Sequence, residues 1–210
     1  QGDPLRMIAK RLFDLFWASL GLVVLSPLFL VVAAWIKLDS AGPVFFRQTR
    51  VGRFEKPFRI YKFRTMVVDA EKSGLQITTG KDPRITRSGE FLRRTKIDEL
   101  PQLINVVKGE MSLVGPRPEV PKYVEYYPDE AKKVVFSLRP GITDYAAILF
   151  RNENDLLEGS VDPEETYIKQ VLPEKIALYL KYAKERTLWL DFRLIIGTIF
   201  PKMEIAGLSS

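Results

Sequence analysis

From Leu12 to Leu38 the chain is almost entirely apolar: Leu12-Phe13, Leu15-Phe16-Trp17-Ala18, Leu20 through Leu25, and Leu28 through Ile36. About 20 such residues suffice to cross the hydrocarbon of a bilayer as a helix, so this run is a membrane candidate before it is a core helix. No small-residue cleavage site ends it, which separates it from a signal peptide. Three features favour a helix that enters the bilayer and returns over one that crosses. Ser26-Pro27 lies at mid-run, where proline removes an amide donor and breaks or kinks the helix. Basic residues flank both ends, Arg6, Lys10 and Arg11 before and Lys37, Arg47, Arg50 and Arg53 after, whereas a spanning helix shows a one-sided bias. Asp14, one turn from Lys10 and Arg11, is costly in hydrocarbon unless interfacial or paired. Both ends therefore read as cytoplasmic, with a proline-kinked single span as the competing reading.

Histidine and cysteine are both absent, which removes imidazole catalysis, His-ligated zinc, thiol nucleophiles and disulfides. Chemistry must run on carboxylates, Lys, Arg, Tyr and hydroxyls. Lys and Arg total 32 against 26 Asp and Glu, a net charge of +6 that points to an anionic partner: nucleic acid, anionic lipid or a phosphorylated substrate. The length, 210 residues, suits one compact domain plus attachments, with Gln1 to Pro4 as a lead-in.

The chemistry concentrates at Lys96-Ile97-Asp98-Glu99-Leu100-Pro101-Gln102-Leu103, where two adjacent carboxylates follow the basic run Arg93-Arg94-Thr95-Lys96. Cations this close are expected to hold Asp98 ionised and to attract an anionic substrate, the setting of an aspartate nucleophile toward phosphorus. A solvated charged turn at a helix start is the alternative. Thr86 or Ser88 is expected to cap a helix carrying Phe91-Leu92, and Leu100 to Val107 to form a second that stops at Gly109, so the carboxylates fall at a junction.

Elsewhere the pattern predicts two short strands, Val44 to Gln48 and Phe58 to Arg64, presenting Arg59, Lys62 and Arg64 near one surface. A short helical piece over Val67 to Lys72 precedes a polar loop from Ser73 to Arg87. Arg117, bracketed by Pro116 and Pro118, is presented at low entropic cost with a fork suited to phosphate. Arg139-Pro140-Gly141 repeats the theme. Tyr123 to Phe136 reads as an amphipathic helix broken at Pro128, Glu153 to Glu165 as an acidic loop, and Pro173 to Arg186 as a helix. Leu188 to Phe200 reads as an amphipathic helix with Asp191 and Arg193 on its polar side; Trp189, Phe192, Ile196 and Phe200 face either the bilayer interface or a core.

Together the Ser26-Pro27 break, Tyr61-Lys62-Phe63-Arg64-Thr65-Met66, Leu92 through Gln102, Val114-Gly115-Pro116-Arg117-Pro118 and Arg139-Pro140-Gly141-Ile142-Thr143 resemble the monotopic phosphoglycosyl transferases, the bacterial sugar transferase family. The resemblance runs from about Met7 to about Pro201. It implies an α+β, mostly helical monotopic protein. Residues 1–40 would hold the lead-in and re-entrant helix, and residues 41–210 a cytoplasmic catalytic domain with few short strands and a C-terminal interfacial helix. The implied reaction moves a sugar 1-phosphate from a UDP-sugar to polyprenol (undecaprenyl) phosphate and releases UMP, at the cytoplasmic face of the bacterial inner membrane. In this reading Asp98 is the nucleophile that carries a phosphosugar intermediate, Glu99 its dyad partner, and Mg2+ sits at Asp98. Arg93 and Arg117 would hold phosphate, with Lys62, Arg64 and Arg139 as weaker candidates. Nucleic acid is not an expected partner, a homodimer is left open, and the chain looks like a minimal catalytic form. One departure stands out: many family members follow Pro-Gly-Ile-Thr with Gly and an aromatic, whereas this chain has Asp144-Tyr145.

Overall fold

The computed structural model describes residues 4–70, 82–151 and 162–200. Its long apolar run is helix α1, Pro4–Asp39, which remains helical through Pro27 and, at 1.5 Å per residue, is about 54 Å long. Ser26 Oγ donates to the Val23 carbonyl at 2.7 Å beside that proline. The break expected there does not interrupt the helix.

One stripe of α1 packs on the rest of the chain. Asp14, Ala18, Val32 and Ile36 are buried along it, spaced at near-multiples of the helical repeat, while Leu12, Phe16, Val23, Val24, Leu30, Val31 and Leu38 are exposed. Both ends are tied to the same body: Asp14 accepts from Ser112 Oγ at 2.8 Å, and Asp39 accepts from the amide and hydroxyl of Ser88 at 2.9 and 2.8 Å. Between them Gly21 lets the helix approach so closely that an added Cβ would lie 3.2 Å from Leu103.

Strands β1 (Phe45–Val51) and β2 (Pro57–Phe63) form an antiparallel hairpin with Phe45 opposite Phe63 and Val51 opposite Pro57. Helix α2 (Arg87–Thr95) starts at Thr86, whose hydroxyl accepts from the Gly89 amide at 3.0 Å, and a 3-10 turn over Ile97–Glu99 follows. Helix α3 (Gln102–Lys108) stops at Gly109, where φ is 83°. Strands β3 (Ser112–Val114) and β4 (Gly141–Thr143) pair in parallel, Ser112 with Gly141 and Val114 with Thr143. The crossover between them holds α4 (Pro121–Val124) and α5 (Asp129–Val135), the two pieces of the helix expected to break at Pro128.

After α6 (Tyr145–Leu149) come α7 (Pro163–Thr166), a π turn over Tyr167–Val171, α8 (Leu172–Glu185) and α9 (Leu188–Ile199). The central core joins Ala18 of α1, Leu103 and Val106 of α3, Met111, Leu113 and Val114 of β3, and Leu190 and Leu194 of α9. A second cluster packs α4, α5 and α8, and a third packs Val32 and Ile36 on Phe63 and Leu92.

The structure corrects three local expectations. Val68 and Asp69 form a turn with Asp69 at φ 67° where the helical piece was expected; residues 71 and 72 of that piece and residues 73–81 of the expected polar loop lie outside the described residues. The end of the acidic stretch is helical, with Asp162 capping α7 through the amides of Glu164 and Glu165, while residues 152–161 also lie outside the described residues. Asp191, expected on a polar face, is 2% exposed. It sits 3.0 Å from Lys10 Nζ, which also binds Asp14 at 2.7 Å, so a long-range pair rather than solvent satisfies it.

Candidate active site

Helix α2 ends because Lys96 adopts the left-handed conformation at φ 59°, which turns the chain sharply into the Ile97–Glu99 turn. Pro101 then opens α3. Asp98 and Glu99 therefore lie on a tight connection rather than on a solvated face, and their environments differ.

Glu99 is clasped. Arg117 Nη2 reaches its Oε1 at 2.5 Å and Nη1 its Oε2 at 3.1 Å, a two-point fork, and Lys62 Nζ donates to Oε1 at 2.8 Å. Burial disfavours the charge, but Arg117 and Lys62 outweigh it and hold this carboxyl well below the usual range. Asp98 is 8% exposed and, among the described residues, its Oδ1 has no hydrogen-bond partner. Burial pushes its carboxyl up, with Lys62, Arg93 and Lys96 opposing and Glu99 reinforcing the rise. This corrects the expectation that the neighbouring cations dominate: Lys62, the largest charge opposing the rise, is also bound by Glu99, and desolvation governs Asp98. The pair thus splits into a fixed anion and an open carboxyl group, the division of roles by environment found wherever adjacent carboxyls do different work.

Lys62 arrives on β2, which Asn105 of α3 fastens in place. The Asn105 side chain accepts from the Tyr61 amide at 2.9 Å and donates to the Arg59 carbonyl at 3.0 Å. Burial lowers the Lys62 ammonium, with Glu99 opposing. Arg93, on α2, is half-buried, and burial lowers its guanidinium against the attraction of Asp98. Arg117 follows β3. Its backbone amide donates to Asp144 Oδ2 at 3.0 Å, and Asp144 Oδ1 caps α6 by accepting from Ala147 at 2.6 Å.

The fold thus gathers Asp98, Glu99, Lys62, Arg93 and Arg117. Two other sequence candidates go elsewhere. Arg64 is 5% exposed and donates to the carbonyls of Ser40 and Ala41, closing the turn after α1. Arg139 donates from Nε to the Gly109 carbonyl at 3.1 Å and lines a cavity at the N-terminal end of α1 that includes none of the five. Nor do Arg59, Lys62 and Arg64 share a surface: Arg59 and Lys62, three positions apart on β2, face opposite ways, with Arg59 donating to the Arg47 carbonyl and Lys62 to Glu99, while Arg64 is drawn to Ser40 and Ala41. Sequence reasoning missed Asn105 and Asp144 as supports. An Asp directly before an apolar helical stretch was a readable cap signal; its second bond, to Arg117, was not.

The donor set accommodates magnesium. Among the described residues no group of three or more His, Cys, Asp or Glu converges on a point, yet Mg2+ commonly uses one or two carboxylates with substrate phosphates and water completing its shell. Asp98 Oδ1, without a partner among the described residues, could supply one such ligand.

The chain belongs to the bacterial sugar transferase family, whose sequence profile matches residues 5–204. It is 39% identical over 199 residues to the UDP-N-acetylgalactosamine-undecaprenyl-phosphate N-acetylgalactosaminephosphotransferase of Aeromonas hydrophila, covering 94% of this chain and 44% of that protein. It is 39% identical over 196 residues to the UDP-glucose:undecaprenyl-phosphate glucose-1-phosphate transferase of Escherichia coli K12, covering 92% and 40%. With the exopolysaccharide production protein PSS of Rhizobium leguminosarum bv. phaseoli it shares 40% over 205 residues, 94% of this chain and 96% of that one. The chain thus spans less than half the length of the first two relatives and nearly all of the third.

Proposed function

We propose that the chain transfers a sugar 1-phosphate from a UDP-sugar to polyprenol phosphate by a two-step route through Asp98. The observation that carries this reading is the contrast at the dyad: Glu99 is held on both oxygens, while Asp98 Oδ1 is buried, without a partner among the described residues, and flanked by cations. In the first step an Asp98 carboxylate oxygen attacks the sugar-bearing phosphorus, the bond to the bridging oxygen breaks, and UMP leaves with that electron pair. In the second, a polyprenol phosphate oxygen attacks the same phosphorus, and Asp98 departs as carboxylate. Arg93 and Lys62 face the added negative charge, and Arg117, anchored on Glu99, sets the cationic wall. Magnesium, held by Asp98 and the donor's phosphates, would supply charge neutralisation to the diphosphate.

Membrane placement follows the same reasoning. The apolar outer face of α1, with both helix ends tied to one domain, supports a helix embedded in one leaflet rather than crossing two. The basic flanks support the cytoplasmic face, where a soluble nucleotide sugar meets a lipid phosphate. The relatives from Aeromonas hydrophila and Escherichia coli are named for UDP-sugar donors and undecaprenyl phosphate, which supports the same donor and acceptor classes here.

Exchange of labelled UMP into the UDP-sugar, run without polyprenol phosphate, tests the covalent step, because only an enzyme-bound phosphosugar regenerates donor without acceptor. Wild-type protein should exchange label and Asp98→Asn should not. Full turnover with acceptor but no exchange without it would replace the covalent route by direct displacement.

A further inference from the structure

A cavity of about 530 Å³ opens between the N-terminal ends of α1 and α9. Arg6 and Lys10 line it from α1, with Arg53, Arg139 and Arg186 on the remaining walls. The two carboxylates in the lining, Asp14 and Asp191, both bind Lys10. Among the described residues no carboxylate forms an ion pair with any of the four arginines. Instead they face each other: burial and then the charges of Arg139 and Arg186 lower the Arg53 guanidinium. Five cations against two carboxylates leave the cavity wall with an excess of positive charge that an anion would offset.

The rim identifies the source of that anion. Leu188 lines the cavity, and on the same end turns of the two helices Leu5, Ile8 and Leu12 of α1 and Trp189 and Phe192 of α9 are exposed, Leu5 at 74% and Trp189 at 67%. Arginines beneath an apolar, aromatic-bearing rim match a phosphodiester headgroup whose acyl chains lie along the rim, whereas a free phosphate gains nothing from Trp189 or Leu5. We propose that this cavity binds the headgroup of an anionic membrane phospholipid, separately from the Asp98 centre. Guanidinium groups of Arg53, Arg139 and Arg186 would hold the phosphate oxygens, and Arg6 would close the entrance.

Thermal unfolding of the purified full chain in a neutral detergent tests this, with added phosphatidylglycerol, phosphatidylcholine or inorganic phosphate. Phosphatidylglycerol should raise the midpoint in a saturable way, phosphatidylcholine should not, and inorganic phosphate at the same concentration should give little. The half-saturating phosphatidylglycerol concentration should rise about fivefold for each arginine removed in Arg53→Gln and Arg186→Gln. Arg6→Gln, at an exposed helix end, serves where the other variants fail to fold and should show the same direction. Equal shifts with phosphatidylcholine, or unchanged half-saturation in all variants, would overturn the site. A full shift with inorganic phosphate alone would overturn the lipid as its ligand.

Discussion

The amide of Arg117 donates to Asp144 Oδ2 at 3.0 Å, which links the arginine that clasps Glu99 to a side chain only 1% exposed. Through its other oxygen the same carboxyl caps α6. A guanidinium on a proline-bracketed loop is thereby positioned from its backbone, leaving the side chain to grip Glu99.

That buried carboxyl makes stability depend on pH. Burial pushes Asp144 up to about 6, with the Ala147 and Arg117 amides and the Arg117 charge opposing. The folded value lies above the ordinary 3.8, so the folded chain holds the proton more tightly than the unfolded one. Its contribution is greatest below that ordinary value and falls as pH rises through about 6. Between pH 5 and pH 7 the stability of wild type relative to Asp144→Asn should therefore decline by about 1 kcal/mol, read from urea midpoints at each pH. A gap that does not move with pH would contradict the assignment.

Gly115 and Gly141 meet where β3 and β4 pair. A Cβ on Gly141 would lie 2.1 Å from the Gly115 nitrogen and 2.4 Å from its carbonyl oxygen, both backbone atoms that cannot step aside without opening the pairing. Gly141→Ala should cost about 3 kcal/mol or more and displace the loop that carries Arg117. Chemical denaturation would register the first effect and UMP release the second.

Much of this arrangement was legible in the chain. The apolar run that becomes α1, a cap at Thr86 or Ser88, the stop at Gly109 and the Asp98-Glu99 junction are local properties, fixed by apolar spacing and by groups within a few residues. Where Arg64, Arg139 and Asp191 come to lie depends on partners far along the chain. Arg64 and Arg139 have the residue type and proline or aromatic context of phosphate ligands, yet a guanidinium satisfies backbone carbonyls equally well, and only the fold decides which it meets. Asp191 looked solvent-facing because its partner, Lys10, stands at the other end of the sequence.

That Lys10 bridge should be among the most sensitive points away from the site. Its ammonium lies 2.7 Å from Asp14 and 3.0 Å from Asp191, and each carboxylate side chain is 2% exposed. Lys10→Met leaves two buried anions facing one another, so a loss of roughly 3–5 kcal/mol is expected, seen as a lower thermal midpoint in detergent. Adding Asp191→Asn should recover part of it, because one of the opposed charges is gone. A single variant as stable as wild type would mean the pair is solvated.

Lys62 tunes the dyad from β2. It is the largest influence opposing the burial that raises Asp98, and it also binds Glu99 at 2.8 Å. Removing its charge should push the Asp98 carboxyl further up, so more of it is protonated at any given acidic pH. Because the proposed attack needs the carboxylate, the acid limb of the pH profile of kcat/KM should move to higher pH in Lys62→Gln. The rate at neutral pH should also drop, on the order of 100-fold, as the added phosphate charge loses a cation. Lys62→Arg keeps the charge and should return the limb toward its wild-type position even where the rate stays low. A limb that stays put in Lys62→Gln would separate Lys62 from the ionisation of Asp98 and leave it the single role of holding Glu99.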